Sequence, residues 1–178
     1  MDYMQELRQR LSGLPKEKIL DYVELQFKNL WTLQNNWMVR VEEKYGHEVS
    51  TQFDGICLGR YAEVAAWRLK KFLEIGDDVS PLEALIKQFG WTVPEPGSEG
   101  ELIRVSETRV IQRNTKCTMQ LARRKSGLPE LPCKPALIVY SEKRVKAISP
   151  KLKVVRVCAP PDPHPDDFWC EVEIEEEA

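Results

Sequence analysis

Four cysteines in the C-terminal part of the chain are the residues best suited to carry chemistry. They are Cys117, Cys133, Cys158 and Cys170, and the last two flank a loop that contains four prolines. Thiolate sulfur binds zinc and iron–sulfur clusters, and it also attacks carbon. If the four sulfurs converge, they form a tetrahedral zinc site or hold an iron–sulfur cluster. The sequence therefore predicts a metal site built from these four cysteines.

The spacing of the thiols leaves two other interpretations open. No pair of them has the C-x-x-C spacing of zinc ribbons. The same thiols would suit a thiol-dependent catalytic or redox site. They are otherwise buried structural residues, since cysteine is among the residue types most often buried. Cys57, in the middle of a predicted helix, is assigned to this structural group.

The positions of two thiols favour an activated form. Cys117 and Cys133 each lie at the N-terminus of a predicted helix. The partial positive charge at a helix N-terminus stabilises thiolate, and the neighbouring Lys116 and Lys134 act in the same direction. We therefore expect lowered pKa values at both thiols.

His164 is the other soft ligand in the proline-rich loop. Because Pro163 and Pro165 restrict its backbone, the imidazole would point in one direction at a small entropic cost. It would complete a metal site with three cysteines or act as a general base. The alternative is a solvated histidine in a surface loop, which is also how we interpret His47 in its predicted turn. Three nearby carboxylates would orient the second ring nitrogen of the loop histidine: Asp162, Asp166 and Asp167.

The charge of the chain is distributed unevenly. Residues 101–156 contain 14 lysines and arginines but four acidic residues, although the whole chain has a net charge of −2. Tyr140 is the only aromatic residue in this basic block, so stacking platforms for single-stranded nucleic acid are absent. We therefore expect no nucleic-acid partner and favour a pocket for a small anion. In the alternative, the basic block faces acidic helices of the same chain or of a partner subunit.

The sequence contains no signal for a membrane or an export pathway. No apolar run is long enough to cross a bilayer, and the N-terminus lacks the basic-then-apolar pattern of a signal peptide. We therefore expect a cytoplasmic protein without a membrane partner. Its thiols would be reduced there, which favours metal or redox chemistry over disulfides.

The first half of the chain has the apolar periodicity of helices. Apolar residues recur about every 3.6 positions over 16–45 and again over 49–75, with a turn at Gly46. This pattern predicts an antiparallel helical hairpin with Trp31, Trp37 and Trp67 in its core. A shorter helix begins at Ser80 with a capping box. The wide apolar surface also makes the hairpin a candidate homodimer element.

A linker over 93–100 separates this helical region, 1–92, from a Cys-containing region, 101–178. Alternating apolar and polar residues predict four antiparallel strands, with helices inserted after the second strand. The whole chain is therefore predicted as one α+β domain with the helical hairpin and short helix packed on the sheet. The strands are expected over 102–105, 109–113, 152–157 and 168–174, and the inserted helices over 117–125 and 135–148.

The C-terminal region contains three linked motifs. They are Cys117-x-x-Gln120-x-x-Arg123, Gly127-Leu128-Pro129-x-x-Pro132-Cys133-Lys134, and Cys158-x-Pro160-Pro161-Asp162-x-His164-Pro165-x-Asp167-x-Trp169-Cys170. The pattern resembles an uncharacterised prokaryotic cytosolic family that is loosely linked to L-2-amino-thiazoline-4-carboxylic acid hydrolases. The order of helices and strands is also similar to the four-vinyl reductase type of small-molecule-binding domain. That similarity implies a small-molecule pocket between the helical layer and the sheet.

Two functions follow from these patterns. The first is a small-molecule-binding or sensor protein with a zinc or iron–sulfur site at the four cysteines, in which Arg123, Arg124 and Asp162 contact the ligand. The second, implied by the resemblance, is a metal- or thiol-dependent hydrolase of a cyclic amidine or thiazoline carboxylate. Cys133 and His164 would then be catalytic, and Arg123 or Arg124 would hold the substrate carboxylate.

Overall fold

A computed structural model describes residues 2–92 and 95–177 and confirms the α+β fold. Its helices are α1 (Tyr3–Ser12), α2 (Lys16–Tyr45), α3 (His47–Phe72), α4 (Pro81–Gln88), α5 (Thr118–Lys125) and α6 (Lys134–Ile148). Its strands are β1 (Glu99–Arg104), β2 (Arg109–Lys116), β3 (Leu152–Cys158) and β4 (Cys170–Glu176). The predicted linker 93–100 overlaps β1 at its end, and residues 93 and 94 lie outside the described ranges. Helix α1 was not anticipated by the apolar pattern.

Helices α2 and α3 form the predicted antiparallel hairpin. Gly46 connects them with a backbone φ of 86°, which a residue without Cβ adopts readily. The hydroxyl of Ser50 donates to the carbonyl of Met38 at 2.9 Å, which joins the two helices near their turn. Trp37 and Trp67 are 65% and 67% exposed, so their predicted place in the hairpin core is wrong. Small residues occupy the buried side of α3 instead.

The small residues of α3 allow α6 to approach closely. A Cβ atom added to Gly55 would lie 3.1 Å from the Cα of Ala136, and one added to Gly59 would lie 2.8 Å from Cγ1 of Val139. Ala62 continues this stripe and is also buried. Helix α3 therefore lies between α2 on one side and α6 on the other.

The sheet has the strand order β1-β2-β4-β3, and every neighbouring pair is antiparallel. One face of the sheet packs against α4 and α6, and apolar burial on this face drives the assembly of the three layers. The core residues are Leu82 and Leu85 of α4, Val145 of α6, and Val110, Leu152, Val172 and Ile174 of the sheet.

The other face of the sheet carries the charges of the basic block. Arg109 contacts Glu173 and Glu175 at 3.0 and 2.9 Å, and Arg113 contacts Glu171 at 2.9 Å. Arg156 also pairs with Glu171, which is only 4% exposed. The acidic partner of these three arginines is therefore β4, whereas Arg104 and Arg123 of the same block pair with Glu83 of α4 and Glu42 of α2, as the helix alternative expects.

The close contact between α3 and α6 predicts an effect of a single methyl group. We expect Gly59→Ala to lower the free energy of unfolding by about 1–3 kcal/mol, because the new Cβ overlaps Val139. Helix propensity alone predicts the opposite, a gain of about 1 kcal/mol. Urea unfolding monitored by circular dichroism measures the difference.

The matched control for this prediction is the double variant Gly59→Ala/Val139→Ala. Truncation of Val139 removes the overlapping atom, so the double variant should lose less stability than the sum of the two single variants. Additive losses, or a stabilised Gly59→Ala protein, would show that the two helices are not limited by this contact.

Candidate functional site

The four C-terminal thiols occupy the positions in the fold that the sequence predicts. Cys117 and Cys133 are the residues that cap α5 and α6 at their N-termini. Cys158 is the last residue of β3, and Cys170 is the first of β4. The ends of three strands and two helices thus bring the thiols toward one end of the sheet. All four are free thiols.

The thiols do not form a metal site. Among the residues that the structure describes, no three His, Cys, Asp or Glu side chains are placed to hold a metal ion. The predicted zinc or iron–sulfur centre at Cys117, Cys133, Cys158 and Cys170 is therefore wrong. Polar groups near the strand and helix ends contact two of the sulfurs instead. Gln120 Nε2 lies 3.8 Å from the sulfur of Cys133, and the sulfur of Cys158 lies 3.9 Å from the Pro163 carbonyl oxygen.

Burial also opposes the expected activation of the thiols. It raises the pKa of Cys117, and it raises the pKa of Cys133 to about 11. The pKa of Cys170 rises to about 12, first through burial and then through repulsion from the other three thiols. The cost of removing a thiolate from water thus exceeds the benefit of the helix N-terminus. The expectation of lowered pKa values at Cys117 and Cys133 is wrong.

Cys57 and Asp54 belong to the helical hairpin. Cys57 is exposed, so its assignment as a buried structural cysteine is also wrong. It lines a narrow cleft between α2 and α3 together with Asp54, Trp37 and Phe53. Burial raises the pKa of Asp54 to about 6, and a hydrogen bond from Gln34 partly offsets this effect.

The proline-rich loop forms one wall of a surface pocket with a volume of about 380 Å³, which we call the His164 pocket. Lys116 at the end of β2 and Arg124 on α5 contribute cations, and the loop contributes His164. Phe168 and Trp169 contribute aromatic rings. The remaining lining residues are Glu99, Thr115, Leu121 and Asp166.

Glu130 contacts two of the residues that line this pocket. Its carboxylate lies 3.0 Å from the Arg124 guanidinium and 3.5 Å from Nε2 of His164. The other ring nitrogen of His164, Nδ1, lies 2.9 Å from the Pro165 carbonyl oxygen, which accepts a hydrogen bond and so places a proton on Nδ1. Nδ1 is therefore fixed by the backbone of the loop while Nε2 faces Glu130, and the side chain is only 10% exposed.

Trp169 packs against two of the three basic groups of the pocket. Its ring lies 5.2 Å from the ring of His164 and 4.5 Å from the centre of the Arg124 guanidinium. A guanidinium stacked on an indole keeps its hydrogen-bonding edge available to a ligand. The backbone N–H of Trp169 donates to the Asn114 carbonyl at 2.8 Å, which fixes the ring to β2.

The other ligand-binding candidates lie elsewhere. Arg123 donates to both carboxylate oxygens of Glu42 at 2.8 and 3.0 Å and to the Pro129 carbonyl at 2.8 Å, so its guanidinium joins α5 to α2. Asp162 pairs with Lys134 at 2.6 Å. Neither residue lines the His164 pocket.

The sequence predicted Arg124 as a ligand contact and His164 as a metal ligand or general base, but it did not indicate their neighbours in the pocket. Lys116 was considered only for its effect on a thiol, and the roles of Glu130, Phe168 and Trp169 were missed. Two signals in the sequence would have indicated this site. One is Lys116 at the end of a strand, and the other is the aromatic pair Phe168 and Trp169 next to the proline-rich loop. His47, at the start of α3, is exposed as expected.

Comparison with protein-family models gives one result. The model of the Family of unknown function (DUF6125) matches residues 12–175, which is most of the chain. The chain belongs to this family. No curated protein and no solved structure matches the chain. The resemblances to thiazoline hydrolases and to the four-vinyl reductase domain therefore stay predictions. Among the helices of the described residues, none is long and apolar enough to span a membrane.

The raised thiol pKa values predict slow alkylation of the folded protein. A pKa of about 11 instead of 9.0 lowers the thiolate fraction of Cys133 at pH 7 about a hundredfold. We expect iodoacetamide to modify Cys133 and Cys170 at least about 100 times more slowly in the folded protein than in urea. Mass spectrometry of quenched samples measures each site, and the unfolded chain is the control. Equal rates in both states would restore the activated-thiol interpretation.

Proposed function

We propose that this protein binds a small, ring-containing carboxylate in the His164 pocket. The observation that carries the proposal is the meeting of Lys116, Arg124, His164 and Trp169, which come from a strand, a helix and a loop, around one cavity of about 380 Å³. Cavities that hold small ligands fall mostly between about 300 and 1,000 Å³. The metal-dependent form of the function is not part of this proposal.

The charges of the pocket favour an anionic group on the ligand. Lys116 pairs with Glu99 at 2.7 Å, and their side chains are 45% and 66% exposed. Arg124 pairs with Glu130, and its side chain is also more than half exposed. Exposed ion pairs contribute only about 0–1 kcal/mol, so a ligand carboxylate competes with Glu99 and Glu130 at little cost. A planar guanidinium such as that of Arg124 accepts a carboxylate in a two-bond arrangement.

The aromatic residues favour a flat ring next to this carboxylate. Phe168 and Trp169 line the same cavity as the cations. Trp169 is only 8% exposed and is covered by His164 and Arg124, so a ligand ring would stack mainly on the half-buried Phe168, which contributes about 0.5–1.5 kcal/mol beyond the burial of area. The favoured ligand is therefore a flat ring that bears a carboxylate. The thiazoline carboxylates implied by the sequence resemblance belong to this class.

The hydrolase alternative stays a prediction, and fewer residues of the pocket support it. His164 lines the pocket and would be the base that activates water. Cys133 does not line the pocket among the described residues, and its thiol is protonated at neutral pH. We therefore place binding before hydrolysis and assign no nucleophile.

Binding is measured by NMR on the indole N–H signals, with the Trp169 signal identified from Trp169→Phe. We expect 2-amino-thiazoline-4-carboxylate or benzoate to shift the Trp169 signal, and benzamide to leave it unchanged because it has no charge. Arg124→Gln should weaken carboxylate binding about 10- to 100-fold, the effect of losing a charge-assisted hydrogen bond.

Lys125→Gln is the matched control, because it removes the same charge from an exposed neighbour on α5 that does not line the pocket. Its affinity should equal that of the unmodified protein. Equal weakening by both substitutions would attribute binding to net charge alone. A Trp169 signal that no carboxylate moves at millimolar concentration would reject the proposal.

A further inference from the structure

We propose that the His164 pocket takes up a proton when it binds a carboxylate, and that His164 and Glu130 couple the two events. This inference rests on the proposed function and adds a regulation by pH to the same site. Acidification would strengthen the binding of the ligand, and a rise in pH would release it.

Glu130 lies between two basic side chains. Its Oε1 accepts a hydrogen bond from Nη2 of Arg124 at 3.0 Å, and its Oε2 lies 3.5 Å from Nε2 of His164. The second distance exceeds the value of about 2.7–2.9 Å that a charged N–H and a carboxylate adopt. Arg124 is therefore the cation that holds Glu130 in the free protein, and His164 offers a second nitrogen to the same carboxylate.

The backbone of the proline-rich loop determines which ring nitrogen of His164 can gain a proton. Nδ1 lies 2.9 Å from the Pro165 carbonyl oxygen, which only accepts hydrogen bonds, so Nδ1 carries the proton of the neutral ring. A second proton therefore adds at Nε2, the nitrogen that faces Glu130. This proton replaces the contact of a lone pair with a carboxylate by an ion pair.

The surroundings of His164 make the charge of its ring depend on nearby anions. The side chain is only 10% exposed, so water solvates little of a charged imidazole. Arg124 and Lys116 carry the same charge as a protonated ring and oppose its formation, so an added negative charge in the pocket favours it. The charged groups around the ring are Glu130 between α5 and α6, Arg124 of α5, Lys116 of β2, Glu99 of β1 and Asp166 of the same loop, and the thiol of Cys158 in β3 contacts the loop at Pro163.

A bound carboxylate supplies this negative charge and also changes the partner of Glu130. In the proposed site the ligand takes the guanidinium of Arg124, whose side chain is 55% exposed. Glu130 then shares its cation with the ligand, and Nε2 of His164 is the other nitrogen near its carboxylate among the described residues. A proton that moves from solvent to Nε2 restores one cation for each carboxylate: Arg124 for the ligand and His164 for Glu130.

The coupling acts in both directions, because linkage between two binding events is reciprocal. A ligand that increases the proton occupancy of His164 must bind more tightly as the pH falls. Histidine ordinarily changes charge between about pH 5 and 8, so the effect is confined to this range. At still lower pH the ligand carboxylate itself is protonated, and its affinity falls again.

Proton NMR of the two histidines tests the coupling in the unmodified protein. His47 and His164 are the only histidines of the chain, and the signal that disappears in His164→Gln identifies the second. We expect saturating benzoate to move the midpoint of the His164 titration upward by about 0.5–1 pH unit, which equals about 3- to 10-fold in affinity. His47 is exposed at the start of α3 and does not line the pocket, so it should titrate at the same pH with and without benzoate.

The affinity for benzoate between about pH 6 and 8, where a carboxylate of this kind stays ionised, is the second measurement. The unmodified protein should bind about 3- to 10-fold more tightly at the lower pH. The affinity of His164→Gln should not depend on pH, whatever its level, and Glu130→Gln should reduce the dependence because the charged imidazole loses its partner.

Asp54→Asn is the matched control for the pH dependence. Burial raises the pKa of Asp54 to about 6, so this carboxyl group also changes charge in the range of the measurement. Asp54 lines the cleft of the helical hairpin and not the His164 pocket. The variant should therefore keep the full pH dependence of benzoate binding.

The outcomes separate this inference from the proposed function. Benzoate that binds at no pH would reject the proposed function and the coupling with it. Binding that leaves the His164 titration unchanged, or a pH dependence that persists in His164→Gln, would overturn the coupling alone. A full pH dependence in Glu130→Gln would overturn the role of Glu130 in it.

Discussion

The contact between α3 and α6 is the constraint on which the rest of the structure depends. Gly55 and Gly59 permit the two backbones to approach to a distance that a methyl group would prevent. Helix α6 in turn reaches the sheet through Val145, and its first residue, Lys134, donates its backbone N–H to the Pro160 carbonyl at 3.0 Å. The hairpin, the sheet and the proline-rich loop therefore share one helix. Through α6, the close contact at Gly55 and Gly59 of α3 therefore also positions the loop that carries His164.

The division of β4 into two faces explains why a strongly basic segment does not form a basic surface. Val172 and Ile174 point into the core, while Glu171, Glu173 and Glu175 alternate with them on the other face. Antiparallel pairing then sets β2 and β3 on either side of these carboxylates. The arginines of both strands are neutralised across the sheet. The cations near the His164 pocket lie at the end of the ladder, where Lys116 pairs with Glu99, and on α5, where Arg124 pairs with Glu130.

The sequence predicts the elements of this fold better than it predicts the directions of its side chains. Apolar periodicity located both long helices, and the helix-end positions of Cys117 and Cys133 were correct. The tryptophans of the hairpin were placed wrongly because periodicity identifies an apolar stripe but not what covers it. Glycines occupy the buried side of α3, since only small residues allow α6 to approach this closely. The metal site failed for a related reason: neighbouring positions in the topology do not fix where each sulfur points.

Burial affects the thiols and the nitrogen groups of the His164 pocket differently. A thiol that loses its hydration is driven to its neutral form, and repulsion between neighbouring thiols adds to this effect at Cys170. Neutral thiols pack as small apolar groups. Arginine responds differently to the same surroundings, because its guanidinium stays charged and must find an acceptor. The nitrogen groups of Arg124 and His164, held by Glu130 and Trp169, therefore keep the capacity for polar recognition that the sulfur groups have lost.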